Sequence, residues 1–367
     1  MTQSTSTQGK KLSFGWKELL ISLFMVVIAW AGVDLLGLGG SSKPVEISEE
    51  ANIQILFTAP RYPDRPTDRH GGIDERLASA IDSAQTSVDI AAFEFNLEDV
   101  SDALVRAHQR GVRVRLVTDS DYADSLGPTS LLAAQVPVVF DNVQPFMHDK
   151  FVVIDGKQVW TGSWNLTTNG TYRNNNNVVI ADSKLLAENY TVEFEEMFID
   201  GEFGASSPDN TPHPQVEING VQVENIFEAE GDAATRIIQL IKDAKSSLDV
   251  MAFVFTDNDI ASAIIARHRA GVPVRMVIET RNLDTAGSDF AAFQQAGIDI
   301  LPDGNPYTMH HKVIIIDQAI VITGSYNFSA NAANDNDENV LILHSAEIAG
   351  QYREEFERVY EQAKAAQ

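Results

Sequence analysis

Apolar residues along this chain follow two periods in turn, one typical of strands and one typical of helices. Ile53, Ile55 and Phe57 alternate with other positions and fall on one face of a predicted first strand. Helical spacing follows from Ile73 to Ala84, and a short, mostly apolar run from Ser87 to Phe93 predicts a buried strand. Helices continue to alternate with strands, which is typical of parallel β-α-β units and predicts an α/β fold.

The second part of the chain repeats the order of the first. Arg76 and Phe93 recur 160 residues later, and Asn177 and Tyr190 recur 162 residues later. Two inserted residues account for the change in offset. A repeat of this length is a whole domain, too long for the repeat of a solenoid.

This repeat predicts four segments. Residues 1–44 form an N-terminal membrane anchor or signal peptide with a Gly- and Ser-rich juncture, and residues 45–203 form the first half. Residues 204–215, rich in Gly, Ser and Pro, are the linker, and residues 216–367 form the second half. The second half is expected to begin with one strand over residues 216–227.

The N-terminus contains a segment that could span a membrane. Lys10, Lys11 and Lys17 precede an apolar run from Leu19 to Val33, and three leucines extend it past Asp34 to Leu38. Such a run is long enough to span a bilayer, and the preceding lysines favour a cytoplasmic N-terminus with the rest of the chain outside. The segment Ala29–Ala31 would also suit signal-peptide cleavage. We therefore expect the rest of the chain to be either anchored outside the cytoplasm or secreted.

Composition narrows the classes of function. The 367 residues are 44% hydrophobic, carry a formal charge of −25 and include no cysteine. The absence of cysteine excludes disulfides, thiolate metal sites and a catalytic thiol. The negative charge makes general capture of nucleic acid unlikely, although a local positive pocket can exist in an acidic protein.

One motif of polar residues contains side-chain types that are suited to catalysis. It occurs twice, with the pattern H-x-K-x4-D-x6-G-S-x-N. Imidazole can act as a nucleophile or proton donor, and lysine supplies a point charge for a phosphate oxygen. The His and the Lys are two apart in an extended segment and so point to one face. The first copy contains His148, Lys150, Asp155, Ser163 and Asn165, and the second His310, Lys312, Asp317, Ser325 and Asn327.

These motifs resemble the signature of the phospholipase D superfamily, in its members with two motifs per chain. The resemblance implies two similar α/β/α sandwich halves that meet about a pseudo-twofold axis and join their motifs into one active site. One His would attack phosphorus to give a phosphohistidine. The other would protonate the leaving alcohol and then activate water, with no metal and no other cofactor.

The residues of each motif receive separate predictions. His148, Lys150, His310 and Lys312 are expected to be catalytic. Two further pairs are expected to bind the substrate phosphate, namely Ser163 and Asn165 in the first motif and Ser325 and Asn327 in the second. For Asp155 and Asp317 two interpretations stay open, direct involvement in catalysis or a structural role in a turn.

One difference between the repeats suggests which His is the nucleophile and which is the general acid. Glu338 follows the second motif, and Asn176 stands at the matching position of the first. In the superfamily that the motifs resemble, an acidic residue at about this distance commonly hydrogen-bonds the catalytic His, so Glu338 is expected beside His310. A carboxylate favours imidazolium, which predicts His310 as general acid and His148 as nucleophile.

The leading functional hypothesis is a phospholipase D-type phosphodiesterase at a membrane surface. It would hydrolyse phospholipid headgroup esters, or transfer the phosphatidyl group, with water or an alcohol as acceptor. The alternatives are a nuclease with the same chemistry and a phosphatidyltransferase similar to cardiolipin synthase. A binding protein without activity is a further class, but both motifs are complete, which argues against it.

Overall fold

The computed structural model describes residues 52–141, 146–228 and 231–367. The predicted membrane segment at Leu19 to Leu38 lies outside these ranges. Within them, no helix has both the length and the apolar character that a bilayer span requires.

The first half forms a seven-stranded mixed sheet in the order β1-β8-β6-β5-β2-β3-β4. Parallel pairing is confined to β2, β3 and β4, whereas β5, β6, β8 and β1 pair antiparallel. The expectation of parallel units is therefore correct for only part of the sheet. Helical connections join β2 to β3 and β3 to β4 in parallel, whereas a tight turn joins β5 to β6 in an antiparallel pair. The strands are β1 (Ile53–Phe57), β2 (Ser87–Ala92), β3 (Arg113–Thr118), β4 (Val138–Phe140), β5 (Lys150–Ile154), β6 (Gln158–Gly162), β7 (Asn174–Asn175) and β8 (Asn177–Asp182), and the helices are α1 (Ile73–Ser83), α2 (Glu98–Gln109), α3 (Leu126–Ala133), α4 (Thr168–Tyr172) and α5 (Lys184–Glu195).

The second half forms an eight-stranded sheet in the order β13-β12-β11-β15-β16-β17-β10-β9. It repeats the mixed arrangement of the first sheet, with an added strand at one edge. The strands are β9 (Gln215–Ile218), β10 (Val221–Glu228), β11 (Leu248–Ala252), β12 (Val274–Ile278), β13 (Asp299–Pro302), β14 (Thr308–Met309), β15 (Lys312–Ile316), β16 (Ile320–Gly324) and β17 (Glu338–His344), and the helices are α6 (Ala233–Asp243), α7 (Asn258–Arg269), α8 (Phe290–Gln295), α9 (Ala330–Asn334) and α10 (Ala346–Ala365).

The start of the second half differs from the prediction. One strand was expected over residues 216–227, but β9 and β10 form an antiparallel hairpin there. Asn219 and Gly220 occupy the turn with φ of 48° and 80°. An Asn-Gly pair adopts such left-handed conformations readily and is typical of two-residue hairpin turns, so the single-strand prediction was wrong.

The two sheets share one central hydrophobic core. Phe151 of β5 and Phe194 of α5 contribute to it from the first half, and Val313 of β15 and Phe356 of α10 contribute from the second. Each sheet also has a core of its own on its opposite face. Both β5 and β15 are buried on both faces, which confirms the interpretation of their continuous apolar runs.

Candidate active site

The backbone of each half holds the motif histidine of the other. The N–H of His148 donates to the carbonyl of Asp337 at 3.1 Å, and the N–H of His310 donates to the carbonyl of Asn175 at 3.0 Å. In addition, β14 of the second half pairs in parallel with β7 of the first, directly before His310. The two motifs are thus brought together across the junction of the halves.

An aromatic ring lies against each histidine. The ring centroids of Phe93 and His148 are 4.7 Å apart, and those of Phe253 and His310 are 4.6 Å apart. The motif lysines stand 5.0 Å from the centroids of the same two Phe rings. The histidines and lysines are buried. Sequence reasoning missed both Phe residues as members of the site, although they match across the repeat at the ends of buried strands.

The contacts of His310 define its tautomer. Nδ1 lies 2.9 Å from Oδ1 of Asn176 and 3.0 Å from the carbonyl of Ser163, and both oxygens are acceptors. Nδ1 therefore carries a proton. Nε2 lies 3.2 Å from Nζ of Lys312, which donates to it. His310 is thus arranged as a neutral imidazole, and burial, followed by the charges of Lys312 and Lys150, lowers its pKa well below the usual value.

Glu338 faces His148, so its expected position beside His310 is wrong. Oε1 of Glu338 is 2.8 Å from Nδ1 of His148, an ion-pair distance without the alignment of a hydrogen bond. The cause is the crossed backbone pairing, since Glu338 directly follows Asp337, whose carbonyl binds the N–H of His148. Asn176 likewise reaches the histidine of the opposite half.

Burial dominates the electrostatics of the site. It raises the pKa of Glu338 to about 7, against the opposing charge of Lys150. It lowers the pKa of Lys150 to about 8 and that of Lys312 well below the usual value. Burial, followed by the charges of both lysines, also lowers the pKa of His148. An anionic phosphodiester placed here would offset the lysine charges and gain strong contacts from them.

The motif serines hold the partners of the histidines. The hydroxyl of Ser163 donates to Oδ1 of Asn176 at 2.9 Å, and that of Ser325 donates to Oε2 of Glu338 at 2.6 Å. A serine hydroxyl has one proton to donate, and here it is already used. This arrangement favours a positioning role for both serines, and their direct contact with phosphate stays a prediction.

The motif asparagines are placed differently. Asn165 and Asn327 are half-buried, and their Oδ1 atoms have no hydrogen-bond partner within the described residues. An unpaired buried amide oxygen needs a hydrogen-bond donor, which a phosphodiester anion lacks, so only the amide Nδ2 groups could contact a phosphate oxygen. Phosphate binding by Asn165 and Asn327 stays a prediction.

Comparisons with known proteins identify the family to which both halves of the chain belong. A family model described as "Cardiolipin synthase, PLD-like domain" matches residues 77–198 and again residues 237–360. The chain belongs to the phospholipase D superfamily. It is 37% identical over 130 residues to the mitochondrial cardiolipin hydrolase of Homo sapiens, a match that covers 35% of this chain and 52% of that protein.

Two further proteins extend the comparison. A phospholipase D of Rickettsia bellii is 33% identical over 149 residues, which cover 39% of this chain and 74% of that protein. The phosphatidylserine synthase structure of Haemophilus influenzae Rd KW20 shares the fold with a TM-score of 0.63 and 13% identity, covering 85% of this chain and 86% of that one. The chain spans about half the length of the human cardiolipin hydrolase that it matches.

The aspartates of the two phospholipase D motifs lie away from the site, so a catalytic role for them is wrong. Asp155 accepts hydrogen bonds from the backbone N–H groups of Gln85, Thr86 and Ser87. Strands rise about 3.3 Å per residue, which puts Asp155 about 16 Å along β5 from Lys150. In the second motif Asp317 makes the matching contacts, with Lys245, Ser246 and Ser247.

Proposed function

We propose that this protein is a phospholipase D-type phosphodiesterase that cleaves phospholipid headgroup esters through a phosphohistidine, by hydrolysis or by transfer to an alcohol. One observation carries the proposal. The His and Lys of both motifs are buried at the junction of the halves, and each His is held by the opposite half. These reciprocal contacts support the pseudo-twofold arrangement of the superfamily.

In the first step His148 acts as nucleophile. Its Nε2 attacks phosphorus, the bond to the headgroup oxygen breaks, and His310 donates a proton to that oxygen. Attack makes the His148 ring cationic, and the carboxylate of Glu338 beside Nδ1 stabilises that charge. The assignment of His148 as nucleophile thus rests on Glu338 beside His148. It no longer rests on a carboxylate beside His310, because His310 has the neutral Asn176 there.

His310 has to carry a second proton when the headgroup leaves. Its low pKa in the free protein follows from burial and from the charges of two lysines. An anionic phosphodiester between the lysines offsets that charge and therefore favours protonation of His310. In the second step His310 removes a proton from water or an alcohol, the acceptor oxygen attacks phosphorus, and the bond to His148 breaks.

Lys150 and Lys312 are assigned to the non-bridging phosphate oxygens, and Asn165 and Asn327 are assigned to add neutral donors. A lysine contact that strengthens as charge develops in the transition state is worth several kcal/mol. The names of the mitochondrial cardiolipin hydrolase and the phospholipase D among the relatives support a lipid substrate. The charge of −25 also disfavours a nucleic acid.

A membrane position is part of the proposal. The apolar run from Leu19 to Leu38 would keep the site beside lipid if it remains as an anchor, with the catalytic part outside the cytoplasm. Membrane fractionation of the full chain, followed by protease protection of intact cells, tests this placement. Recovery of the chain in the cytosol would contradict it.

The test of function compares lipid and nucleic acid directly. Purified full-length protein should release headgroups from phospholipid vesicles, and His148→Ala and His310→Ala should each remove nearly all of that activity. Activity should persist in a chelator. If single- and double-stranded DNA are cleaved at low salt while vesicles are not, the lipid assignment is wrong. If each His variant keeps about half the activity, the motifs are independent sites.

A further inference from the structure

Equivalent positions of the two repeats carry different side chains on the two sides of the site, one beside His148 and one beside His310. On the flank of His148, Phe93 packs against Tyr122 at 4.9 Å and against Phe146 at 5.5 Å between ring centroids. Phe93 also contacts the His148 ring. This flank is therefore a cluster of aromatic rings around the proposed nucleophile.

The flank of His310 is polar and cationic. Asn282 stands at the position that matches Tyr122, and its amide donates to the carbonyl of Phe253 at 2.7 Å. Thr308 stands at the position that matches Phe146. Nη1 of Arg281 donates to Oγ1 of Thr308 at 2.7 Å, whereas the first half has an aspartate at the position of Arg281.

The strand geometry places Arg281 beside the proposed acid. Met309 is buried in the central core, so its neighbours Thr308 and His310 point to the opposite face. Residues two apart in an extended strand are separated by about 7 Å. The guanidinium bound to Thr308 therefore lies one side chain away from His310, on the face that carries the reaction.

The charge of Arg281 is only partly compensated. Its side chain is 59% exposed, and Oε1 of Glu279 lies 3.7 Å from its Nε. The two carboxylate oxygens of Glu279 already accept the backbone N–H groups of Arg281 and Met309. Burial, and then the charge of Asp303, raises the pKa of Glu279, which weakens its hold on the charge of Arg281. The planar fork of Arg281 is thus available for an anion.

We infer that Arg281 binds an anionic group, a second phosphate, on the alcohol that leaves from the substrate. The inference rests on the proposed function, in which His310 protonates that alcohol. The leaving alcohol must lie within hydrogen-bond reach of His310, and Arg281 is a cation bound to Thr308, two residues before His310. The site should therefore favour phospholipids whose headgroup alcohol carries a phosphate over those with a neutral alcohol.

Two phosphatidyl esters test this specificity, one of glycerol phosphate and one of glycerol. Both are diluted into neutral detergent micelles, so that no neighbouring anionic lipid supplies the phosphate. Arg281→Gln should lower kcat/KM for the phosphate-bearing ester about tenfold, as expected for loss of a charge-assisted hydrogen bond, and change that for the glycerol ester less than about twofold. Arg281→Lys should recover part of the loss.

Arg269→Gln is the matched control, because Arg269 is an exposed arginine on α7, remote in sequence from the motifs. It should leave both kcat/KM values unchanged. Equal losses on both esters in Arg281→Gln, or equal losses in the control, would overturn the role of Arg281. If the wild-type protein cleaves neither ester nor a small chromogenic phosphodiester, the proposed function itself is wrong.

Discussion

At the scale of single residues, the identities and spacing of the motifs were enough to predict the four central side chains but not their partners. His148, Lys150, His310 and Lys312 are buried together at the junction of the halves. The partner of each histidine depends on which backbone meets it, and that crossed pairing involves contacts far apart in sequence. Glu338 was consequently placed beside the wrong histidine.

The carboxylate of Glu338 is expected to set the pH dependence of the reaction. Its pKa is raised to about 7, so it is protonated and uncharged below that pH. The charge that stabilises a cationic His148 ring is then lost, and kcat/KM should fall as the pH drops through about 7. Glu338→Gln should remove this limb of the profile and lower kcat about 100-fold at pH 8.

A surface pair provides the control for this prediction. Glu188 lies 3.0 Å from His213 on an exposed face, so Glu188→Gln removes a similar carboxylate from a histidine outside the site. Its pH profile should match that of the wild type. A Glu338→Gln enzyme that retains the limb near pH 7 would show that another group controls it.

At the scale of elements, regular periodicity was predicted well and turn chemistry less well. The helix predicted from Ile73 to Ala84 is confirmed as α1, within one residue. The strand-turn-strand form of both motifs is confirmed in the pairs β5-β6 and β15-β16. The β9-β10 hairpin was missed although the sequence carried its signal, because Asn219 and Gly220 form a typical turn pair and the apolar alternation shifts by one residue between Ile218 and Val221.

Asp155 is expected to stabilise the fold without serving catalysis. Burial alone would raise its pKa, but the N–H groups of Thr86, Ser87 and Gln85 outweigh that effect and hold the pKa below its usual value. Asp155→Ala removes these bonds and should lower the free energy of unfolding by about 2 kcal/mol, as measured by urea denaturation. Turnover per folded molecule should stay within about twofold of the wild type, because Asp155 lies far along β5 from the site.

The pKa of Asp155 also determines whether its contribution to folding stability rises or falls with pH. Because its folded-state pKa lies below the unfolded value, its stabilisation is present at neutral pH and is lost as the pH falls through the folded-state pKa. The stability difference between wild type and Asp155→Ala should shrink accordingly in acid. Asp209→Ala, at an exposed position of the predicted linker, should show neither effect. A loss of turnover in folded Asp155→Ala would restore a catalytic role.

At the scale of the whole molecule, two asparagines that recur at the same offset join the halves. Oδ1 of Asn339 accepts from Thr161 at 2.7 Å and from Tyr190 at 3.1 Å, both in the first half. Asn177 makes the reciprocal contacts with the second half. Sequence comparison detected the pair through the repeat, but the role of the pair depends on the docking of two sheets. The predicted segment boundaries at residues 203 and 216 remain predictions.

Replacement of Asn177 should therefore allow the two halves to separate at a lower urea concentration than the one that unfolds either sheet. Its Oδ1 accepts from Thr323 at 2.8 Å and from Tyr352 at 3.0 Å, and its Nδ2 lies 3.1 Å from Nδ1 of His311. Asn177→Ala leaves these buried groups without a partner and should cost about 3 kcal/mol of unfolding free energy. Activity should disappear at a lower urea concentration than far-ultraviolet circular dichroism, because catalysis needs both halves docked. Asn169→Ala, at an exposed asparagine, should leave both transitions together at the wild-type midpoint. Coincident transitions in Asn177→Ala would instead mean that the halves unfold as one unit.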